Sequence, residues 1–390
     1  MALRTPIYLD HHATTPIDPG VLAFLQQVQK DHFGNPASSG HAFGWAAARL
    51  VEEAREKVAE LIGGTAREII FTSGATESDN LALLGVAGAY GAGGGHMVTT
   101  NLEHEAVRGT LGEFERRGGR VTVVQARPDG RITAGDIADA LEKGTLLVSV
   151  MTAQNEIGTI QPVAEIGSIC KQQGILFHTD AAQAAGRIPL DVQGDGVDLL
   201  SLSSHKIYGP KGVGALYVRR RDPRVTLAPL FFGGGQERGL RPGTLNVPGI
   251  AAFGEACRLA GEVMAEEALR LRALRDRMWE ALRGALEGVH FNGAMEERVP
   301  GNLNVSFEGV RAHRLLSALT VIAVSSSSAC SSLETRPSAV LEAIGVGKDL
   351  AAASLRIGLG RFTTREEVDF ASARIIEVVS GLRTPGQSSS

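Results

Sequence analysis

The sequence predicts an α/β fold: a large domain with a mostly parallel seven-stranded sheet wrapped by helices, plus a smaller α/β C-terminal domain. Three observations predict it. Between residues 68 and 218 short apolar runs alternate with helical stretches. A long amphipathic pattern then begins near Gly261. Beyond it, further strand-like runs and one well-capped helix close the chain. The first seven strands are expected at 68–72, 96–100, 121–124, 146–151, 175–178, 199–202 and 214–218. The last two lie too close together for a helical crossover, so one of them should run antiparallel. Over 262–286, Val263, Leu269, Leu271, Leu274, Met278 and Leu282 form a broad apolar stripe on a helix leading into the second domain. Strands come next at 302–307, 321–325 and 355–359, with a Ser-rich segment among them, and Thr364 and Glu367 open a last helix in capping-box spacing. The polar tail 384–390 reads as a frayed terminus. The expected division is 16–260 for the large domain, and 1–15 with 261–390 for the small one.

With 390 residues, 43% hydrophobic and 21% charged, the chain can bury more than one core. Its formal net charge of −4 offers no basic footprint for nucleic acid or anionic lipid, so partners are expected among small molecules and proteins. Cys170, Cys257 and Cys330 are an odd, irregularly spaced set that suggests neither a disulfide framework nor a zinc knuckle. No basic-then-apolar start and no apolar run near the roughly 18 residues of a membrane span is seen, so a soluble, unprocessed, cytoplasmic protein is expected.

Ligands of open parallel sheets gather outside the carboxyl ends of the strands, which directs attention to the residues just past each apolar run. After 68–72 comes Ser73-Gly74-Ala75-Thr76-Glu77 and then a helix from about Ser78, offering backbone N–H groups and a hydroxyl to a phosphate. Asn155 comes after the fourth run, Asp180 and Gln183 after the fifth, and Ser203, His205 and Lys206 after the sixth. A lysine at a partly buried strand end suits bonding to an aldehyde, for which its amine must lose its proton. An aspartate across a pyridine ring would keep the ring nitrogen protonated. A metal site built from His104, His178, His205 and Asp180 lacks two histidines one helical turn apart, and no metal is expected.

These residues fall in an ordered set of motifs. The set begins with Tyr8-Leu9-Asp10 and Ala13-Thr14-Thr15, then runs through Thr72 to Asn80, Glu103-His104, Asn155-Glu156-Ile157-Gly158 and His178 to Gln183. It continues with Ser203-Ser204-His205-Lys206, Gly209-Pro210-Lys211-Gly212, Gly243-Thr244, Ser328-Ala329-Cys330-Ser331 and Arg356 to Arg361. The chain resembles the NifS/IscS-like cysteine desulfurases of the class V aminotransferase family, which use pyridoxal 5'-phosphate (PLP) on the PLP-transferase type I fold. The resemblance implies that Lys206 forms the imine with PLP, that Asp180 pairs with the pyridine nitrogen and that His104 stacks on the ring. Asn155 and Gln183 would sit near the phenolic oxygen and the substrate. Ala75, Thr76, Ser203 and His205 would hold the phosphate, helped by Thr244 from the second subunit of a homodimer, and Arg356 would clamp the substrate carboxylate. His11-His12 stands where the family pattern has other side chains, and removes no expected cofactor ligand.

Cys330 sits among serines, a polar setting unlike that of a buried cysteine, whereas Cys170 and Cys257 lie in helical patterns as small apolar residues. The resemblance implies that Lys206 removes the Cα proton of L-cysteine, and that the Cys330 thiolate takes the substrate sulfur as a persulfide while L-alanine leaves. A long segment carrying Cys330 resembles that of the branch whose members pass sulfur to iron-sulfur scaffolds or tRNA-thiolation partners.

Overall fold

A computed structural model describes residues 3–91, 94–310, 312–326 and 338–383. The chain opens with β1 (Ile7–Tyr8), α1 (Pro19–Asp31) and α2 (Ala42–Leu61), and then alternates strand and helix: β2 (Ile69–Thr72), α3 (Ala75–Tyr90), β3 (His96–Thr100), α4 (Glu105–Arg116), β4 (Arg120–Val124) and α5 (Ala134–Ala140). It continues with β5 (Thr145–Ser149), α6 (Val163–Gln173), β6 (Leu176–Asp180), β7 (Leu199–Ser203) and β8 (Gly214–Val218). These strands form one seven-stranded sheet in the order β2-β8-β7-β6-β5-β3-β4. All of its pairings are parallel except those of β8, which runs antiparallel to both β7 and β2, as the short connection after residue 202 requires.

Alternate residues of each strand feed two apolar layers. Ile69, Phe71, Phe177, Leu200 and Tyr217 face the layer covered by α1, α2, α6 and the first half of α7 (Val247–Ala285). Ile70, Met97, Leu147, Leu199 and Leu216 face α3 and α4. Cys170 and Cys257 are both buried.

The helix predicted at 262–286 is the second part of α7, which spans 39 residues and begins at Val247. Its first half is apolar nearly all round, with Ile250, Ala252, Phe253, Ala256 and Cys257 buried, so no stripe marks it in sequence. Pro248 falls within the first turn, where its missing N–H costs no helical bond. Beyond α7 come β9 (Val289–Phe291), β10 (Asn302–Phe307), α8 (Ala312–Ala318), β11 (Ile322–Ala323), α9 (Ala339–Ala343), α10 (Lys348–Ala352), β12 (Ser354–Gly358) and α11 (Arg365–Arg383). Strand β10 pairs antiparallel with β12 and β9, and β11 pairs parallel with β1. A second core joins Ile7 and Leu9 to Leu271, Met278, Leu303, Leu355 and Ile375. The strand expected over 321–325 keeps only two residues of ladder, and the one expected over 146–151 leaves its ladder after Ser149. Among the described residues no helix is long and apolar enough to cross a membrane.

Candidate active site

A cavity of about 490 Å³ opens at the edge of the large sheet where β2, β3, β5, β6 and β7 end and β8 begins. Ala75, Thr76, His104, Asn155, Asp180, Gln183, Ser203, His205, Lys206 and Arg356 all line it. Thr244 is exposed in the segment before α7 and does not line it, while Cys330 lies outside the described residues.

On one side of the cavity, α3 starts at Ala75, three residues earlier than the sequence suggests. The first helical bond runs from Ser78 N–H to Gly74 O (3.1 Å), so the N–H groups of Ala75, Thr76 and Glu77 have no acceptor in the helix. The turn is tight: a Cβ on Gly214 of β8 would meet Gly74 Cα at 2.6 Å and Leu202 O at 2.4 Å. Ser203 and His205 flank this helix end from the β7 side. Burial first, then the charges of Lys206 and Lys211, lower the His205 imidazole to about 4, so it is neutral at pH 7.

Lys206 ends the short 3-10 turn after β7 (Ser204–Lys206), and its Nζ donates to His12 O (2.5 Å) and Ala13 O (2.9 Å). Arg187 braces the same corner from Nη2, which donates to Lys206 O (3.2 Å) and His11 O (3.0 Å). Asp180 is the last residue of β6 and accepts the Ala182 N–H at 2.9 Å. Burial raises its carboxyl above the ordinary range, against the pull of that N–H, His104 and Lys206. Burial, and then the charge of Asp180, also hold the Asp79 carboxyl on α3 well above the ordinary range. His178 beside them bonds Ser149 Oγ (2.9 Å) and Ser201 Oγ (3.0 Å), and burial lowers it to about 3, leaving a neutral ring.

His104 is the N-cap of α4, and its Nδ1 accepts the Ala106 N–H at 3.1 Å, which leaves the ring proton on Nε2. Arg356 comes from the middle of β12; its Nη2 pairs with Asp10 Oδ1 at 3.0 Å, and Asp10 Oδ2 accepts Ser325 Oγ–H at 2.8 Å. Asp10, His12, Met151 and Lys211 are the participants not singled out in advance as site residues. Asp10 and Lys211 stand inside quoted motifs, His12 falls in the gap between the two parts of the first, and Met151 is the last residue of an expected strand, so position relative to the motifs and strand ends was the available signal.

A family model described as Aminotransferase class-V matches residues 7–370. The chain is 52% identical to Cysteine desulfurase IscS of Anaeromyxobacter dehalogenans over 381 residues, which is 98% of this chain and 94% of that one. It is 50% identical to Cysteine desulfurase IscS of Pseudomonas aeruginosa over 383 residues, again 98% and 94%. Among solved structures, a NifS-like protein matches with a TM-score of 0.89 at 37% identity, covering 96% of this chain and 99% of that one. A structure described as SspA in complex with cysteine matches with a TM-score of 0.80 at 36% identity, covering 92% and 100%. The sheet order, the residues gathered at its carboxyl edge and near full-length likeness lead to one assignment: the chain belongs to the aminotransferase class-V family, in its NifS/IscS-like cysteine desulfurase group.

Proposed function

We propose that this protein is a PLP-dependent cysteine desulfurase that converts L-cysteine to L-alanine and passes the sulfur through a persulfide on Cys330 to an acceptor protein such as an iron-sulfur scaffold. One observation carries the reading: the Lys206 amine, the Asp180 carboxylate and the unbonded N–H groups at the start of α3 face one cavity of about 490 Å³. That donor set fits PLP, which needs an amine for its aldehyde, an anion for its pyridinium and N–H groups for its phosphate. Ala75, Thr76, Ser203 and His205 would hold the phosphate, Asp180 the protonated ring nitrogen, and Gln183 with Asn155 the phenolic side, while His104 covers a ring face.

When bound, PLP delocalises the negative charge left at the substrate Cα. Lys206 moves the Cα proton, and Arg356 orients the substrate through its carboxylate, a task suited to a permanently charged planar fork. The Cys330 thiolate attacks the substrate sulfur: an S–S bond forms, the C–S bond breaks, and its electron pair stays with carbon, which takes up a proton on the way to alanine. Thr244, exposed in its own subunit, reaches the phosphate of the neighbouring site in a homodimer, and the enzyme works in the cytoplasm.

Borohydride reduction of the yellow protein followed by peptide mass spectrometry tests the assignment. The mass of reduced PLP is expected on Lys206; a tag on another amine, or a colourless active preparation, overturns it. Cys330→Ala should keep the visible absorbance and lose sulfide and alanine production from L-cysteine, whereas unchanged turnover removes Cys330 from the pathway.

A further inference from the structure

Strand β12 presents Arg356 and Gly358 on one face, since residues two apart in a strand point the same way. Gly358 has no side chain, and the His12 ring fills the space beside it: a Cβ on Gly358 would lie 2.8 Å from His12 Cδ2. His12 is 2% exposed, lines the same cavity as Arg356, and is the second residue of the pair that departs from the family pattern. Its surroundings fix its proton. His12 Nδ1 lies 3.0 Å from Arg187 Nη1, which can only donate, and 3.1 Å from Gln183 Oε1, which can only accept and already takes a hydrogen from the same Nη1. A proton on Nδ1 would face the guanidinium cation, so the neutral ring turns its Nδ1 lone pair to Arg187 and carries its N–H on Nε2. Burial first, then the charges of Arg187, Arg356 and Lys206, keep the imidazole neutral. That Nε2 is buried without a hydrogen-bond partner, and so is Nε of Arg356, whose Nη2 is already held by Asp10. Two buried N–H donors on one wall, with no acceptor supplied by the described residues, call for a ligand that brings acceptors.

We propose that His12 is a second reader of the substrate carboxylate: its Nε2–H binds one carboxylate oxygen of the incoming amino acid while Arg356 binds the other. This rests on the desulfurase reading of the cavity and adds a substrate-binding residue to it. A neutral donor beside a fixed cation suits this role, because it adds a hydrogen bond without another buried charge.

The test uses PLP-loaded protein titrated with L-cysteine, with the product L-alanine and with cysteamine, which has the same amine and thiol but no carboxylate. Binding is read from the change in the visible absorbance band, and turnover is measured separately. His12→Ala should weaken L-alanine binding and raise KM for L-cysteine by roughly 10- to 100-fold, with a smaller change in kcat and no change in the cysteamine titration. His12→Asn, which keeps an N–H donor, should recover most of the affinity and guards against a packing defect in the alanine variant. Equal losses for cysteamine and L-alanine, or L-alanine affinity unchanged in His12→Ala, overturn the role of His12 while leaving the desulfurase reading in place. A parent protein whose band responds to none of the three overturns that reading, and this inference with it.

Discussion

Glu103 shows at the scale of one residue how the cavity wall is tuned. It is 3% exposed, and its Oε1 accepts hydrogen bonds from Thr100 Oγ1 (2.8 Å) and the Met151 N–H (3.0 Å), while Oε2 has no partner among the described residues. Burial pushes its carboxyl up to about 8. An unfolded glutamate titrates near ~4.3, so the folded chain holds this proton more tightly than the unfolded one. The resulting stabilisation is complete below ~4.3 and is lost as pH rises through about 8. Glu103→Gln removes that dependence. Between pH 5 and pH 9 the parent should lose on the order of 4 kcal/mol more stability than the variant, read from denaturant midpoints. Parallel pH profiles would show that Glu103 is ionised in the folded chain. The sequence places Glu103 beside His104 but holds no sign of this proton, because the burial that raises it, and after it the charge of Asp180, are set by elements distant in the chain.

At the scale of elements, the Gly74 turn and β8 form a tight joint at one edge of the cavity. Gly214 has an ordinary backbone conformation, so the case for glycine there is space: a Cβ would press on Leu202 O and Gly74 Cα at distances real side chains do not adopt. Gly214→Ala should therefore cost about 1–3 kcal/mol in stability and displace the start of α3. PLP affinity, measured by absorbance after dialysis against free cofactor, should fall with it; unaltered stability and affinity would mean that β8 yields without moving the turn. The strands flanking this joint were legible in sequence because each is a short apolar run ending in polar residues, and the close spacing of 199–202 and 214–218 announced the reversal at β8. Strands β1, β9 and β11 were illegible or overextended, since two or three residues carry no periodicity and their partners lie far along the chain. The first half of α7 was missed because burial on all sides erases the stripe by which a helix is recognised.

Across the whole molecule, the cores under the large sheet and the core around β10 meet at Arg361. It leaves β12, its Nη1 pairs with Asp18 at the head of α1 (3.1 Å), and its Nε pairs with Glu267 in the middle of α7 (3.1 Å). Its backbone N–H donates to Tyr208 Oη (2.5 Å), and its guanidinium lies 4.3 Å from the centre of the Tyr208 ring. The Arg356 to Arg361 motif marks this arginine in the sequence. Its partners, roughly 90 to 340 positions upstream, are set by topology and could not be read there. Among the described elements only α7 runs continuously through both cores, and the contacts of Arg361 add side-chain links between them. Arg361→Ala strands two carboxylates that are each less than one fifth exposed, and should cost about 3 kcal/mol. Because that loss falls between the cores, calorimetry should show one transition for the parent and two for the variant, with the lower one assigned by exchange of amide hydrogens in β10 and β12. A variant that still unfolds in one step at a lower temperature would place the coupling in α7 and in the 10–13 segment, which joins Arg356 through Asp10 to Lys206 through His12 and Ala13.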